Sequence, residues 1–346
     1  MAALLQDVRY GLRALRKSPG FTAVAVLVLA LGIGANTAIF SVVNAVLLRP
    51  LPFKDPARLV QIWHVPPPKS FPGITEFSVS AANYLDWERQ NHVFEETAIY
   101  SYQGFDLTSG DKPESVVAAA VQPTFFSVLG TPPLLGRTFA SGEDEAGRDN
   151  VVVLSYGFWQ TRFGGKRNII GQQITLNNQT KTVVGVMPPR FAQPDWAKIW
   201  VPLAWTAEER AVRGEHHYRV IGRLKPGVTQ AQAQAEMSAI SSRLAQQYPA
   251  DDKDWGAVVK PLREELVGDV RPSLLILLGA VAFVLLIACA NVANLVLAKT
   301  LSRKKEIAIR TALGASRRRV LQQVLSETLL LRWPVAPSVW RSRISA

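Results

Sequence analysis

Cysteine is almost missing from this chain: of 346 residues, only Cys289 carries a thiol. No intrachain disulfide can form, so any folded part must be held by its own apolar core. Histidine is scarce as well, four in all. His216 and His217, adjacent on a predicted strand, point to opposite faces, and packing or surface roles are expected of them rather than metal ligation. A phosphate-binding loop of the G-x-x-x-x-G-K-[ST] kind is absent. The nearest stretch, "FGGKRN", has Gln160 where the first glycine belongs and Arg167 where Ser or Thr belongs, so ATP hydrolysis by this chain is not expected. The acidic stretch "SGEDEAGRD" lacks the spacing of a calcium loop and reads as a solvated turn. Trp196, Trp200 and Trp205 are expected in a core.

Charge is the other absence, and it is local. Residues 21–48 and 273–298 contain no Asp, Glu, Lys or Arg over 28 and 26 residues. About 20 apolar residues suffice to cross roughly 30 Å of hydrocarbon, so both runs read as transmembrane helices. The first is too long for a cleaved signal core of about 7–15 residues and reads as an uncleaved anchor.

The net charge of +12 lies entirely outside the middle of the chain. Residues 1–20 carry Arg9, Arg13, Arg16 and Lys17 against Asp7; residues 299–346 carry eleven basic residues against Glu306 and Glu327. The stretch 49–272 balances 24 basic against 24 acidic residues. Basic flanks stay on the cytoplasmic side, which places 49–272 outside and disfavours a nucleic-acid role.

Residues 2–17 pattern as an amphipathic interface helix, with Pro19-Gly20 expected to break it before the first span. Within the spans, Gly32, Gly34, Asn36, Asn291 and Asn294 are the candidate helix-packing residues, since small residues permit close approach and asparagines bond across helices. The body between the spans mixes strands (58–65, 93–100, 115–121, 150–155, 216–225) with helices (80–90, 123–129, 156–165, 228–247). "TLNNQTK" reads as a hairpin turn at Asn177-Asn178. This mixture predicts an α+β body of two subdomains, with no linker marking the boundary between them. After the second span, Ala308, Ile309, Ala312 and Leu313 form an apolar stripe, Glu306 precedes Arg310 by four residues, and Gly314 ends the helix.

These residues carry a resemblance. "RKKEIAIRTALGASRRRVLQQVLSETLLL" resembles the cytoplasmic segment of FtsX-like permeases of the MacB type. "SVSAANYLDWERQNHVFEETAIY", "FFSVLGTPPLLGRTF", "VVVLSYGFWQTRFGG" and "TVVGVMPPRF" resemble the MacB-type periplasmic core domain, and "DVRYGLRALRKSPGFTAVAVLVLALGIGANTAIFSVVNAVLLRPLPF" is similar to the duplicated orphan permeases of that group. The resemblance covers residues 4–331. It implies an α+β periplasmic core domain inserted between two transmembrane helices of an inner-membrane ABC transporter permease, working as a pair of units. The chain would hold no cofactor of its own; ATP would be used by a separate ATPase subunit, and membrane lipid and a periplasmic adaptor would be further partners. Glu306, Ile309, Arg310, Leu313, Gly314 and Ala315 become the expected ATPase contacts.

The implied organisation is an interface helix (1–20), a first span (21–48), a periplasmic core (49–272), a second span (273–298), a coupling segment (299–331) and a tail (332–346). The tail "RWPVAPSVWRSRISA" departs from the family's apolar third span, and a truncated permease is the expectation. Two other readings stay open here: a membrane-anchored binding or sensory module, and a nonfunctional fragment.

Overall fold

A computed structural model describes residues 19–108 and 113–302. The predicted interface helix at 2–17 lies outside the described residues. The chain divides into two units: residues 1–49 with 269–346, and residues 50–268. In chain order the elements are α1 (Pro19–Val43), β1 (Leu59–Val65), α2 (Ala81–Gln90), β2 (Phe94–Leu107), β3 (Glu114–Val121), α3 (Phe125–Leu129), β4 (Leu135–Gly136), β5 (Val151–Leu154), α4 (Tyr156–Phe163), β6 (Gln173–Leu176), β7 (Gln179–Val186), β8 (Ile199–Pro202), α5 (Ala207–Ala211), β9 (Arg219–Leu224), α6 (Gln230–Gln247), β10 (Gly256–Pro261), α7 (Leu262–Val267) and α8 (Val270–Ser302).

The first unit consists, in its described part, of α1 and α8. The described part of α1 begins at Pro19, and the expected break between the interface helix and the span falls, with that helix, outside the described residues. The helix continues through a π-helical turn at Asn44–Leu48. Two segments, Thr22–Leu48 and Val270–Asn294, are long and apolar enough to cross a membrane.

The second unit is a ten-stranded mixed sheet in the order β10-β1-β9-β2-β3-β8-β5-β7-β4, with β6 pairing both β2 and β7. The two subdomains expected from the sequence are two lobes of this one sheet, joined by β2. Its first half pairs with β9 and its second half with β3. In the far lobe the order β2-β3-β8-β5-β7-β6 returns to β2 through Leu107 and Leu176, so this end closes on itself. The closure is reinforced by Asn177, whose N–H donates to Asp106 O (3.0 Å) and whose Oδ1 accepts from Asp106 N–H (2.7 Å). Asn177 and Asn178 both take positive φ, 47° and 62°, as a tight hairpin turn of this hand requires.

Both sheet faces are buried, and period-two alternation sorts the side chains between them. Ile62, Ile99, Ala118, Val152, Ile199 and Val220 face one core with Tyr84, Trp87, Phe158 and Met237 from the helices. Leu59, Ala98, Ala119, Val153, Trp200 and Ile221 face the other, with Phe125, Phe126, Phe191 and Leu262. Trp200 and Trp205 are buried as expected; Trp200 Nε1–H donates to Gln193 O and Trp205 Nε1–H to Tyr218 Oη. Trp196 packs partly buried on the second core.

Local signals set the helix ends. Ser80 Oγ caps α2, Ser155 Oγ caps α4, and Thr229 with Gln232 forms a capping box at α6. At the sheet's opposite margin Gly136 and Gly185 face each other; a Cβ on either would lie 2.1 Å from a backbone oxygen, so only glycine fits this crossing.

The free edge of β10 is covered by two glutamine side chains from α6. Gln234 accepts from Val259 N–H and donates to Ala257 O, both at 2.8 Å, while Gln230 donates to Val259 O at 2.8 Å. These amides take the place of a further strand. Gln234→Ala is expected to speed hydrogen exchange at the Val259 amide while leaving the Ile62 amide unchanged, and to cost about 1–3 kcal/mol of stability; exchange mass spectrometry and thermal unfolding read both.

Candidate functional site

The helix pair comes first. In the membrane-type unit α1 and α8 run antiparallel, with Gly32 opposite Ala288 and Asn36 opposite Val281. A Cβ at Gly32 would lie 3.3 Å from Ala288 Cβ and 3.5 Å from Leu285 Cδ1. Asn36 Nδ2 donates to Gly32 O of its own helix (2.9 Å) and across to Val281 O (3.0 Å). Val43, Ala288 and Val292 are buried.

The candidate packing residues therefore separate. Gly32 and Asn36 meet the other helix. Gly34 has nothing within 4 Å of an added Cβ, and Asn291 and Asn294 are exposed on the outside of the pair. The difference is helical phase: the seam on α8 passes through Ala288 and Val292, and Asn291 sits about 100° away from Val292. The six expected ATPase contacts, Glu306, Ile309, Arg310, Leu313, Gly314 and Ala315, lie outside the described residues.

Gly32→Leu is expected to destabilise the full chain in a detergent denaturation titration, and Gly34→Leu to leave it nearly unchanged. Asn36→Leu is expected to cost about 0.6–1.7 kcal/mol in the same titration.

In the other unit, a buried polar cluster gathers residues far apart in sequence. Arg213 Nη2 donates to Asp86 Oδ2 at 2.5 Å, and its Nη1 to Asn83 Oδ1 at 2.6 Å and to Asp252 Oδ2 at 3.2 Å. The guanidinium carbon lies 3.4 Å from the Tyr248 ring centroid. Asn83 and Asp86 share one face of α2 at i, i+3. Asn83 Nδ2 in turn donates to Asp252 Oδ1 (2.7 Å) and meets His64 Nε2 (3.2 Å).

These contacts fix the protons. A guanidinium only donates, so the Asn83 oxygen must face Arg213 and its amide nitrogen must face His64. His64 Nε2 is then an acceptor, and the neutral ring carries its proton on Nδ1. His216 Nδ1 donates to Gly214 O at 3.2 Å, which leaves its Nε2 an acceptor. His64 Nδ1 and His216 Nε2 are both buried without a hydrogen-bond partner, on rings whose centroids are 5.2 Å apart.

Burial lowers the pKa of His64 well below the ordinary imidazole value, helped by the neighbouring His216, and burial lowers that of His216 too. Burial raises that of Asp252. His216 and His217 precede β9 rather than lying on a strand as predicted. His216 stacks on Trp255 (4.3 Å, 7°), and His217 lies tilted against Tyr218 (4.0 Å, 39°). No group of three or more metal-ligating side chains occurs among the described residues.

Sequence reasoning missed this cluster. Its members come from β1, α2 and the segments before β9 and β10, and only the Asn83–Asp86 spacing was available as a local signal.

The imidazoles make stability pH-dependent with a definite sign. The unfolded chain takes up protons near pH 6.5, whereas the folded one resists until lower pH. Stability is therefore expected to fall on acidification below about pH 6.5. Asp252 acts in the opposite sense, but in the carboxylate range. Thermal unfolding of the full chain between pH 7.5 and 5.5 checks this, and His64→Gln is expected to flatten the slope.

Comparison with known proteins gives the following. The family model for the MacB-like periplasmic core domain matches residues 22–240, and that for the FtsX-like permease C-terminal matches residues 278–332. The chain is similar to the macrolide export ATP-binding/permease protein MacB of Azoarcus sp., 31% identical over 208 residues, covering 58% of this chain and 30% of that protein. It is also similar to MacB of Escherichia coli, 27% identical over 218 residues, covering 62% and 33%. The chain thus spans about a third of the length of the curated relatives it matches. Among solved structures, the periplasmic region of MacB from Actinobacillus actinomycetemcomitans aligns with TM-score 0.43 and 14% identity over 62% of this chain and 92% of that one. The extracellular domain of the noncanonic ABC-type transporter YknZ from Gram-positive bacteria aligns with TM-score 0.43 and 13% identity over 58% and 99%.

Proposed function

Because the chain belongs to the family of the MacB-like periplasmic core domain and carries an FtsX-like permease segment, we propose that this permease subunit of an ABC-type system couples a separate ATPase to movements of its outer unit, in efflux or mechanotransmission. The observation that carries the reading is the path of α8. It runs 33 residues without interruption from Val270 to Ser302 and leads directly into the basic segment that begins at Arg303. At 1.5 Å per residue such a helix is about 50 Å long, roughly 20 Å more than the hydrocarbon it would cross.

A stiff rod of that length transmits a displacement at one end to the other. Arg310 and Leu313 would seat in a groove of the ATPase, with Glu306, Ile309, Gly314 and Ala315 shaping the contact. ATP binding and hydrolysis belong to the partner. A second permease unit and a periplasmic adaptor would complete the assembly, with residues 49–272 on the periplasmic side of the inner membrane. The basic flanks support that orientation.

Two measurements test the reading. An ABC ATPase is expected to co-purify with the full chain and to be lost on Arg310→Glu and on Leu313→Asp, with membrane insertion unchanged; retained association would overturn the coupling role. A periplasm-dependent reporter inserted at the exposed turn around Gly147 is expected to be active, and activity from a cytosol-dependent reporter there would reverse the topology.

A further inference from the structure

The segment between β1 and α2 lies over the aromatic side chains next to the buried cluster, leaving an open cleft. Its lining comprises Phe71, Phe77, His216, Trp255, Asp251 and the small residues Gly214 and Ala250, around a volume of about 410 Å³. That is within the range of about 300–1,000 Å³ typical of small-molecule sites. The four rings touch one another: Phe71 and Phe77 at 5.3 Å, Phe71 and Trp255 at 6.0 Å, Phe77 and His216 at 5.6 Å, Phe77 and Trp255 at 5.7 Å. All four are half-buried, neither sealed in the core nor fully in water.

The charge at the cleft has one sign. Asp251 is exposed at the rim and has no ion-pair partner among the described residues. No lysine or arginine lines the cleft. The guanidinium of Arg213, the residue before Gly214, is engaged by Asp86 and Asp252. His216 contributes a neutral ring: one nitrogen is committed to Gly214 O and the other is buried. Aromatic faces present negative charge density to a ligand, and a free carboxylate adds a full negative charge beside them.

We propose that this cleft binds an organic cation, an alkylammonium group carried on an apolar body. The rings receive the apolar body and the ammonium methylenes or methyls, and Asp251 supplies the charge complement. The stacking of His216 on Trp255 holds both rings in place, and the Arg213–Asn83–His64 hydrogen bonds fix the floor on which they rest. This goes beyond the coupling role and does not depend on it: the cleft is formed by the outer unit alone, and loss of ATPase association would leave it intact.

Isothermal titration of the full chain in zwitterionic lipid discs, with empty discs as blank, tests the assignment with benzyltrimethylammonium against neutral benzyl alcohol. The cation is expected to bind saturably and at least about tenfold more tightly than the alcohol. Asp251→Asn, at an exposed position, and Phe71→Leu, which keeps apolar bulk but removes a ring, are each expected to weaken the cation by roughly 2- to 30-fold and to leave benzyl alcohol unchanged. Trp255→Phe, which retains a ring, is expected to bind nearly as the parent does. Absence of saturable binding, equal affinity for the alcohol, or unchanged affinity in both Asp251→Asn and Phe71→Leu would overturn the proposal.

Discussion

Hydrocarbon excludes charge, and the rest of this architecture follows from how the chain obeys that constraint. Two runs of 28 and 26 residues carry none, and the whole excess of positive charge lies outside them, in the terminal flanks. With no water to satisfy polar groups, such runs must be helical. A polar side chain in such a run gains by bonding to its own or a neighbouring helix. Asn36 does so twice, on its own helix and across to α8. A single amide thereby fixes which turn of one helix faces which turn of the other, something that uniform aliphatic packing specifies weakly.

The outer unit is built on a different footing. It has no disulfide, and its stability rests on a sheet buried on both faces and on the buried ion pairs of Arg213 with Asp86 and Asp252. Charge-assisted hydrogen bonds of the Arg213 cluster tie together α2, the segment before β9 and the turn before β10, and the neutral Asn83–His64 hydrogen bond adds the end of β1. Such a buried network is costly to break, on the order of 3–5 kcal/mol if one partner is removed, and it specifies one arrangement of the segments around it. Its proton assignments follow from a chain of donors and acceptors that begins at a group unable to accept.

Much of this fold was legible in the sequence, and the reasons are local. The caps at Ser80 and Thr229, the turn at Asn177-Asn178, the valine-rich β5 and the two uncharged helices each carry their signal within a few residues. The hairpin extended the predicted strand at 93–100 to Leu107 because β2 has two successive partners, a fact no single window contains. The helix seam was read only in part. Of the packing candidates, Gly32 and Asn36 lie against the other helix, whereas Gly34, Asn291 and Asn294, chosen by composition without phase, point elsewhere. The buried cluster was invisible because residues 64, 83, 86, 213 and 252 are brought together by the sheet order β10-β1-β9 and by the packing of α2. The family resemblance, by contrast, was carried by several separate strings along the chain, which is why it emerged from one sequence.

The course of β2 has a mechanical consequence. One continuous backbone of fourteen residues holds β9 along its first half and β3 along its second. A force applied along that strand loads its rungs together rather than one after another, and no hinge separates the two lobes along this line. Tension along β2 is therefore met by the pairings of both lobes at once, so the strand cannot lengthen in one lobe without straining the other.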